Sequence, residues 1–141
     1  MKILVNADHH YCQTPDGKVW VKNIYGYAFW ERYLQVFENV VVFARVAQVE
    51  ALDYNDYLLS SGPGVSFWQG VPEFRRVKGF IKNYFLLRKE AIKAVNSCDC
   101  VLLRVPNILD SFVYNAALKA NKPVALEVVA NPKHFGAGTA S

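Results

Sequence analysis

Two adjacent histidines, His9 and His10, followed by Tyr11 and Cys12, are the first residues of this sequence equipped for proton or metal chemistry. On an extended segment, neighbouring side chains point to opposite sides, so this pair is poorly arranged to chelate one ion. Neither has a partner at the helical spacing of a metalloprotease pair. One of the two as a polar group lining a ligand cleft fits better; the plainer alternative is a loop in which one ring is simply hydrogen-bonded. Further along, Arg104 is followed by Val105, Pro106 and Asn107. A guanidinium beside a helix start suits a phosphate or a carboxylate. Its alternative is an ion pair with Glu127, because a cation between two apolar strands needs a partner. Gly26 opens a helical stretch, where a missing side chain lets an anion approach the helix amides. A turn glycine would look the same.

Other chemistries are disfavoured by what the spacing lacks. There is no G-x-G-x-x-G after the first strand and no G-x-x-x-x-G-K-[ST], which argues against a dinucleotide fold and a P-loop. Cys98-Asp99-Cys100 has no second cysteine pair to complete a zinc site. Asp53 and Asp56 are three apart rather than the D-x-D of a metal-bridged nucleotide-sugar site. No metal and no tightly held cofactor is expected.

These residues need a frame, and the apolar pattern supplies one. Lys2 to Asn6, Val40 to Val46, Val65 to Trp68, Cys100 to Val105 and Val124 to Val129 read as short buried strands. Val19 to Val21 adds a possible short extended piece. Tyr25 to Glu38, Arg75 to Asn96 and Asn107 to Ala120 have helical spacing, the last with Asn107 as cap and Asp110 three residues on. Residues 47 to 64 carry no clear period. Near-continuous apolar strands alternating with helices imply an α/β domain with a mainly parallel, Rossmann-like sheet covered by helices on both faces. In such sheets ligands sit beyond the carboxyl ends of the strands. That rule selects the loop from Asp8 to Ile24, the turn after Trp68, Pro106 with Asn107, and Ala130 to Lys133.

The stretch from Arg75 to Asn96 raises a different possibility. Lys78, Lys82, Lys89 and Lys93 follow at spacings of four, seven and four; Phe85 lies in the same stripe and Glu90 is the one acid. A basic amphipathic helix with an outward aromatic resembles an element that lies on an anionic membrane. The alternative is a solvated lysine face with Phe85 covered by a neighbouring segment. Nucleic acid is not expected as a partner, because basic and aromatic residues do not interleave elsewhere.

With 141 residues, 52% of them hydrophobic, the chain has the size and composition of one globular domain, residues 1–141. The net charge of +4 is modest. No apolar run approaches the roughly 20 residues that span a bilayer, and no signal peptide is visible at the amino terminus. Three cysteines form an odd set, so free thiols and a cytoplasmic setting are expected, with peripheral contact at the inner membrane face through the lysine stripe.

Three segments together resemble the N-terminal halves of family 4 glycosyltransferases, a large bacterial group with two facing Rossmann-like domains, the GT-B fold. They are Asp16 to Val19; Gly26 to Leu34 with Val40 to Val46; and Leu103-Arg104-Val105-Pro106 with Lys122 to Val129. The resemblance implies transfer of a sugar from a nucleotide-sugar donor, as co-substrate, to a polysaccharide or glycolipid acceptor, with retention at the anomeric carbon and no metal. It further implies that this half shapes the acceptor side. Donor binding would fall to a C-terminal domain with an E-x7-E motif, which this sequence does not contain, so the fragment alone should be inactive. Gly26, Arg104 and Asn107 are the cleft candidates by matched motif; His9 and His10 join them by loop position, and no catalytic residue is assigned. The family's first loop often has two adjacent glycines, whereas Gly26 stands between Tyr25 and Tyr27. A stand-alone flavodoxin-like binding or regulatory module is the competing reading.

Overall fold

Ile3, Leu4 and Val5 are buried in consecutive positions, which places the first strand inside a sheet covered on both faces. The computed structural model describes residues 1–22 and 24–129. The chain runs β1 (Lys2–Asn6), β2 (Tyr11–Gln13), β3 (Val19–Lys22), α1 (Tyr27–Leu34), β4 (Asn39–Phe43) and β5 (Val46–Gln48). After a 3-10 turn at Tyr54–Asp56 come β6 (Tyr57–Leu59), β7 (Val65–Phe67), α2 (Val77–Lys82), α3 (Tyr84–Asn96), β8 (Cys100–Val105), α4 (Asp110–Lys119) and β9 (Val124–Val128).

Five strands form one sheet in the order β7-β4-β1-β8-β9. All its pairings are parallel, with Leu4 of β1 between Val41 of β4 and Val101 of β8. One face carries Leu4, Val41 and Leu103 against Leu87, Val95, Phe112 and Val113 of α3 and α4. Ile3, Val5, Val40 and Val42 pack on the other face with Trp30 of α1. The expected Rossmann-like α/β sheet with helices on both faces is the observed fold.

A second sheet, β5-β2-β3-β6, grows out of the carboxyl end of the first. The β1–β4 pairing continues past its end, through Ala7 N to Phe43 O at 3.1 Å and Tyr11 N to Arg45 O at 3.2 Å, into the parallel β2–β5 pair. β3 and β6 then add in antiparallel fashion. Three elements therefore differ from the sequence expectation. The loop from Asp8 to Lys18 contains a strand, Val40 to Val46 is broken after Phe43 with Val46 opening β5, and residues 47–64 supply the rest of β5 and all of β6. The connection from β4 to β7 is thus built from strands rather than from a helix.

Two helices also differ. Tyr25 takes a left-handed conformation (φ 66°) and Gly26 an extended one, so α1 starts at Tyr27. The long basic helix is interrupted at Asn83 (φ −100°, ψ 9°), whose side-chain amide donates to Gly79 O at 2.8 Å and competes with the helical ladder. Lys78 and Lys82 therefore sit on α2, and Phe85, Lys89 and Lys93 on α3, rather than on one straight stripe. α4 starts at Asp110, with Leu109 rather than Asn107 in the cap position and no side-chain cap there. Asn107 and Asp110 instead close the turn before the helix, where Asn107 N donates to Asp110 Oδ2 at 2.7 Å and Asn107 Oδ1 accepts from Leu109 N at 2.8 Å.

Candidate functional site

The loops that follow β1, β4, β7 and β8 meet at the carboxyl end of the parallel sheet. Asn6, the last residue of β1, is fully buried there. Its carbonyl oxygen accepts from Arg104 N at 2.7 Å, and its amide donates to Asp110 Oδ1. One side chain thus joins β1, β8 and the start of α4. Burial pushes the Asp110 carboxyl above its ordinary value, against the hydrogen bonds from Asn6 and Asn107; nearby Asp8 adds to the rise.

Arg104 is buried and engaged on several sides. Nε donates to Glu127 Oε1 at 2.8 Å, Nη2 approaches Tyr25 Oη at 3.4 Å, and the guanidinium lies over the rings of Tyr25 (4.6 Å) and Phe29 (4.7 Å). Burial works against its charge, and the bonds to Glu127 and Tyr25 more than restore it. The ion pair with Glu127 is therefore the observed arrangement. Tyr25 is the hinge of this group. Its left-handed backbone is uncommon for an aromatic residue and costs on the order of 1 kcal/mol or more. The ring also meets the His9 imidazole edge-on at 4.5 Å.

His9 looks both ways. Beside Tyr25, it also lines a concavity of about 480 Å³ that His10, Cys12, Lys22, Tyr57, Glu73 and Arg75 help to form. Burial, with Arg104 and His10 contributing, holds the His9 imidazole below its ordinary value despite Asp8, so it is neutral at pH 7. His10 Nδ1 lies 2.7 Å from Glu73 Oε1. With Nδ1 held by a carboxylate, Nε2 is the atom left to accept a proton or hydrogen bond from a ligand. The Cys12 thiol on the same wall is pushed up by burial, which makes it a poor nucleophile.

Among the described residues, the buried side-chain atoms left without a hydrogen-bond partner are Tyr11 Oη, Arg45 Nε, Glu73 Oε2 and Asn107 Nδ2. Their residues follow β1, β4, β7 and β8 respectively, all at the carboxyl end. A buried polar atom without a partner costs about 1–3 kcal/mol; of these four residues, Glu73 alone lines the concavity.

His9 and His10 share the concavity, while Arg104 reaches it only through Tyr25 and His9. Asn107 holds the start of α4 and keeps one unpartnered amide hydrogen-bond donor. Gly26 has a packing reason: a Cβ there would stand 3.1 Å from Leu58 Cβ of β6. Among the described residues no group of three or more His, Cys, Asp or Glu side chains could hold a metal ion. The fourth expected loop, Ala130 to Lys133, lies outside the described residues.

Sequence reasoning passed over Tyr25, Glu73, Asn6 and the Asp8–Arg45 pair. Arg45 could have been found by the signal that found Arg104, a cation ending an apolar strand. Its Nη2 donates to Asp8 Oδ1 at 3.0 Å and its Nη1 to Phe74 O at 3.0 Å.

Comparison with known proteins adds one relation. The chain is similar to Protein CapJ of Staphylococcus aureus. The two are 27% identical over 107 residues, which cover 74% of this chain and 26% of CapJ. The matched part is thus about a quarter of CapJ's length. No protein-family model matches the chain, and no solved structure matches it.

Proposed function

We propose that this chain is the acceptor-side domain of a sugar transferase, with the carboxyl-end concavity as its saccharide site and the donor nucleotide held by a second domain. The observation that carries the reading is the concavity itself, which brings His9, His10, Lys22, Tyr57, Glu73 and Arg75 to one wall at the carboxyl end, with one Glu73 carboxylate oxygen left without a partner. A sugar offers many hydroxyls, each both donor and acceptor, and suits a wall that mixes donors (Lys22, Arg75) with an acceptor carboxylate (Glu73). The likeness to CapJ and the resemblance to GT-B N-terminal halves support the same class.

In this reading His10, steadied by Glu73, accepts a hydrogen bond from the acceptor hydroxyl. Neutral His9 and the Tyr25 ring form the wall nearest Arg104. Arg104 is a positioning residue: it fixes Tyr25 and Glu127 rather than touching the sugar. The anomeric outcome and the donor belong to the whole transferase and follow from the resemblance alone.

Calorimetry on the chain tests this directly. Oligosaccharides should bind, and nucleotide sugars should not at the same concentration. Micromolar binding of a nucleotide sugar, or binding of neither class, overturns the assignment.

A further inference from the structure

The face formed by α2 and the first turns of α3 is built unlike the rest of the surface. Val77, Ile81 and Phe85 follow at intervals of four and are 74%, 67% and 80% exposed, so among the described residues no segment covers Phe85. α2 has no buried residue. It is held from behind by Phe80, which packs against Phe74 at 6.0 Å and Phe112 at 5.6 Å. Around the apolar row lie the basic side chains. Arg75, Arg76, Lys78 and Lys82 line a concavity of about 480 Å³ beside Gly79 and Asn83. Arg88 and Lys89 extend the positive field on α3, while Lys93 sits 3.8 Å from Glu90 and is partly neutralised. Glu90, the one acid between residues 75 and 96, is turned inward to accept from Trp68 Nε1 at 2.9 Å.

We propose that this face docks on an anionic phospholipid bilayer, with Val77, Ile81 and Phe85 entering the acyl boundary and the four-cation concavity taking a lipid phosphate. Exposed apolar side chains on α2 and the start of α3, flanked by cations, match such a surface in polarity and charge, and the one acid that lines the concavity, Glu73, has its carboxylate engaged by His10. A second protein or a second copy would need complementary acids or a larger apolar area. The docked face is also tied to the pocket described above. Glu73 and Arg75 line both concavities, and the segment leading into α2 is held by Glu73 to His10 and by Phe74 O to Arg45. A bilayer on α2 therefore lies beside the mouth of the rim pocket.

Vesicle flotation tests the proposal, with phosphatidylcholine alone and with phosphatidylcholine containing phosphatidylglycerol. The chain should float with the anionic vesicles only, and release as salt rises to about 0.5 M. Ile81→Ser with Phe85→Ser, and separately Lys78→Glu with Lys82→Glu, should each lower retention about tenfold or more. Far-UV circular dichroism should be unchanged, because all four side chains are exposed. Lys93→Glu should have a smaller effect. Equal retention on both vesicles, or retention unchanged by the apolar pair, overturns the proposal. So does displacement by millimolar inorganic phosphate with no effect of Phe85, which would mark a free-anion site. A chain that sediments as a dimer dissociated by Phe85→Ser, and ignores vesicles, assigns the face to self-association instead.

Discussion

The two ends of the parallel sheet are finished differently. At the amino end, contacts are local and simple. Lys2 N donates to Asp99 Oδ2 at 2.7 Å, Asp99 N returns a bond to Lys2 O at 2.8 Å, and the terminal ammonium stands 3.5 Å from Glu38. At the carboxyl end a second sheet, two histidines, two buried arginines and a left-handed tyrosine are packed together, and buried polar atoms are left over. Both ends close the same five strands. The difference is that, among the described residues, all four buried side-chain atoms without a partner follow strands at the carboxyl end, the end to which the proposed function assigns a ligand.

That contrast can be broken or sharpened by mutation. The largest effect is expected at Asn6. Asn6→Ala removes one buried and one part-buried hydrogen bond and strands Arg104 N and Asp110 Oδ1, which should cost about 2–4 kcal/mol in urea unfolding. Glu73→Gln should move stability by no more than about 1 kcal/mol, because it removes a partly buried charge, one oxygen of which already lacks a partner. Saccharide binding should fall about tenfold, since His10 loses the carboxylate that fixes its ring. A Glu73→Gln protein that binds as before would remove the pocket's special status.

A smaller effect is expected from His9. Its folded pKa lies below the ordinary 6.5, so just under that value the unfolded chain binds more protons than the folded one. Stability should therefore rise as pH increases through that window and be lost on acidification. His9→Gln should flatten that part of the curve of urea midpoint against pH. The smallest effect belongs to the amino end: Asp99→Ala, at an exposed backbone contact, should cost under about 0.5 kcal/mol and leave binding alone.

The parallel sheet was legible because Ile3-Leu4-Val5, Val40 to Phe43 and Val101 to Leu103 are apolar at every position, the pattern of strands buried on both sides. The second sheet was not. β2, β5 and β6 are three residues each, and Tyr11-Cys12-Gln13 has no period that distinguishes it from a loop. Pairing supplied by the ends of β1 and β4 makes them strands, which is a tertiary cause. Asn83 interrupted a helix whose apolar spacing ran through it, because a local side-chain bond to Gly79 outweighed the pattern there. At the rim, His9 and His10 were visible by type and position. Tyr25 carried no signal at all, since nothing in its neighbours foretells a left-handed backbone. Glu73 lies 63 residues from the histidine it steadies, and sequence distance hides that kind of pair.

Backbone amide mapping by heteronuclear NMR, with an acceptor oligosaccharide titrated into the chain, tests the central claim most directly. The account predicts shifts centred on His9, His10, Cys12, Lys22, Tyr57, Glu73 and Arg75, with Lys2, Glu38 and Asp99 unmoved. Shifts clustered at the amino end of the sheet, or spread evenly over both ends, would contradict it.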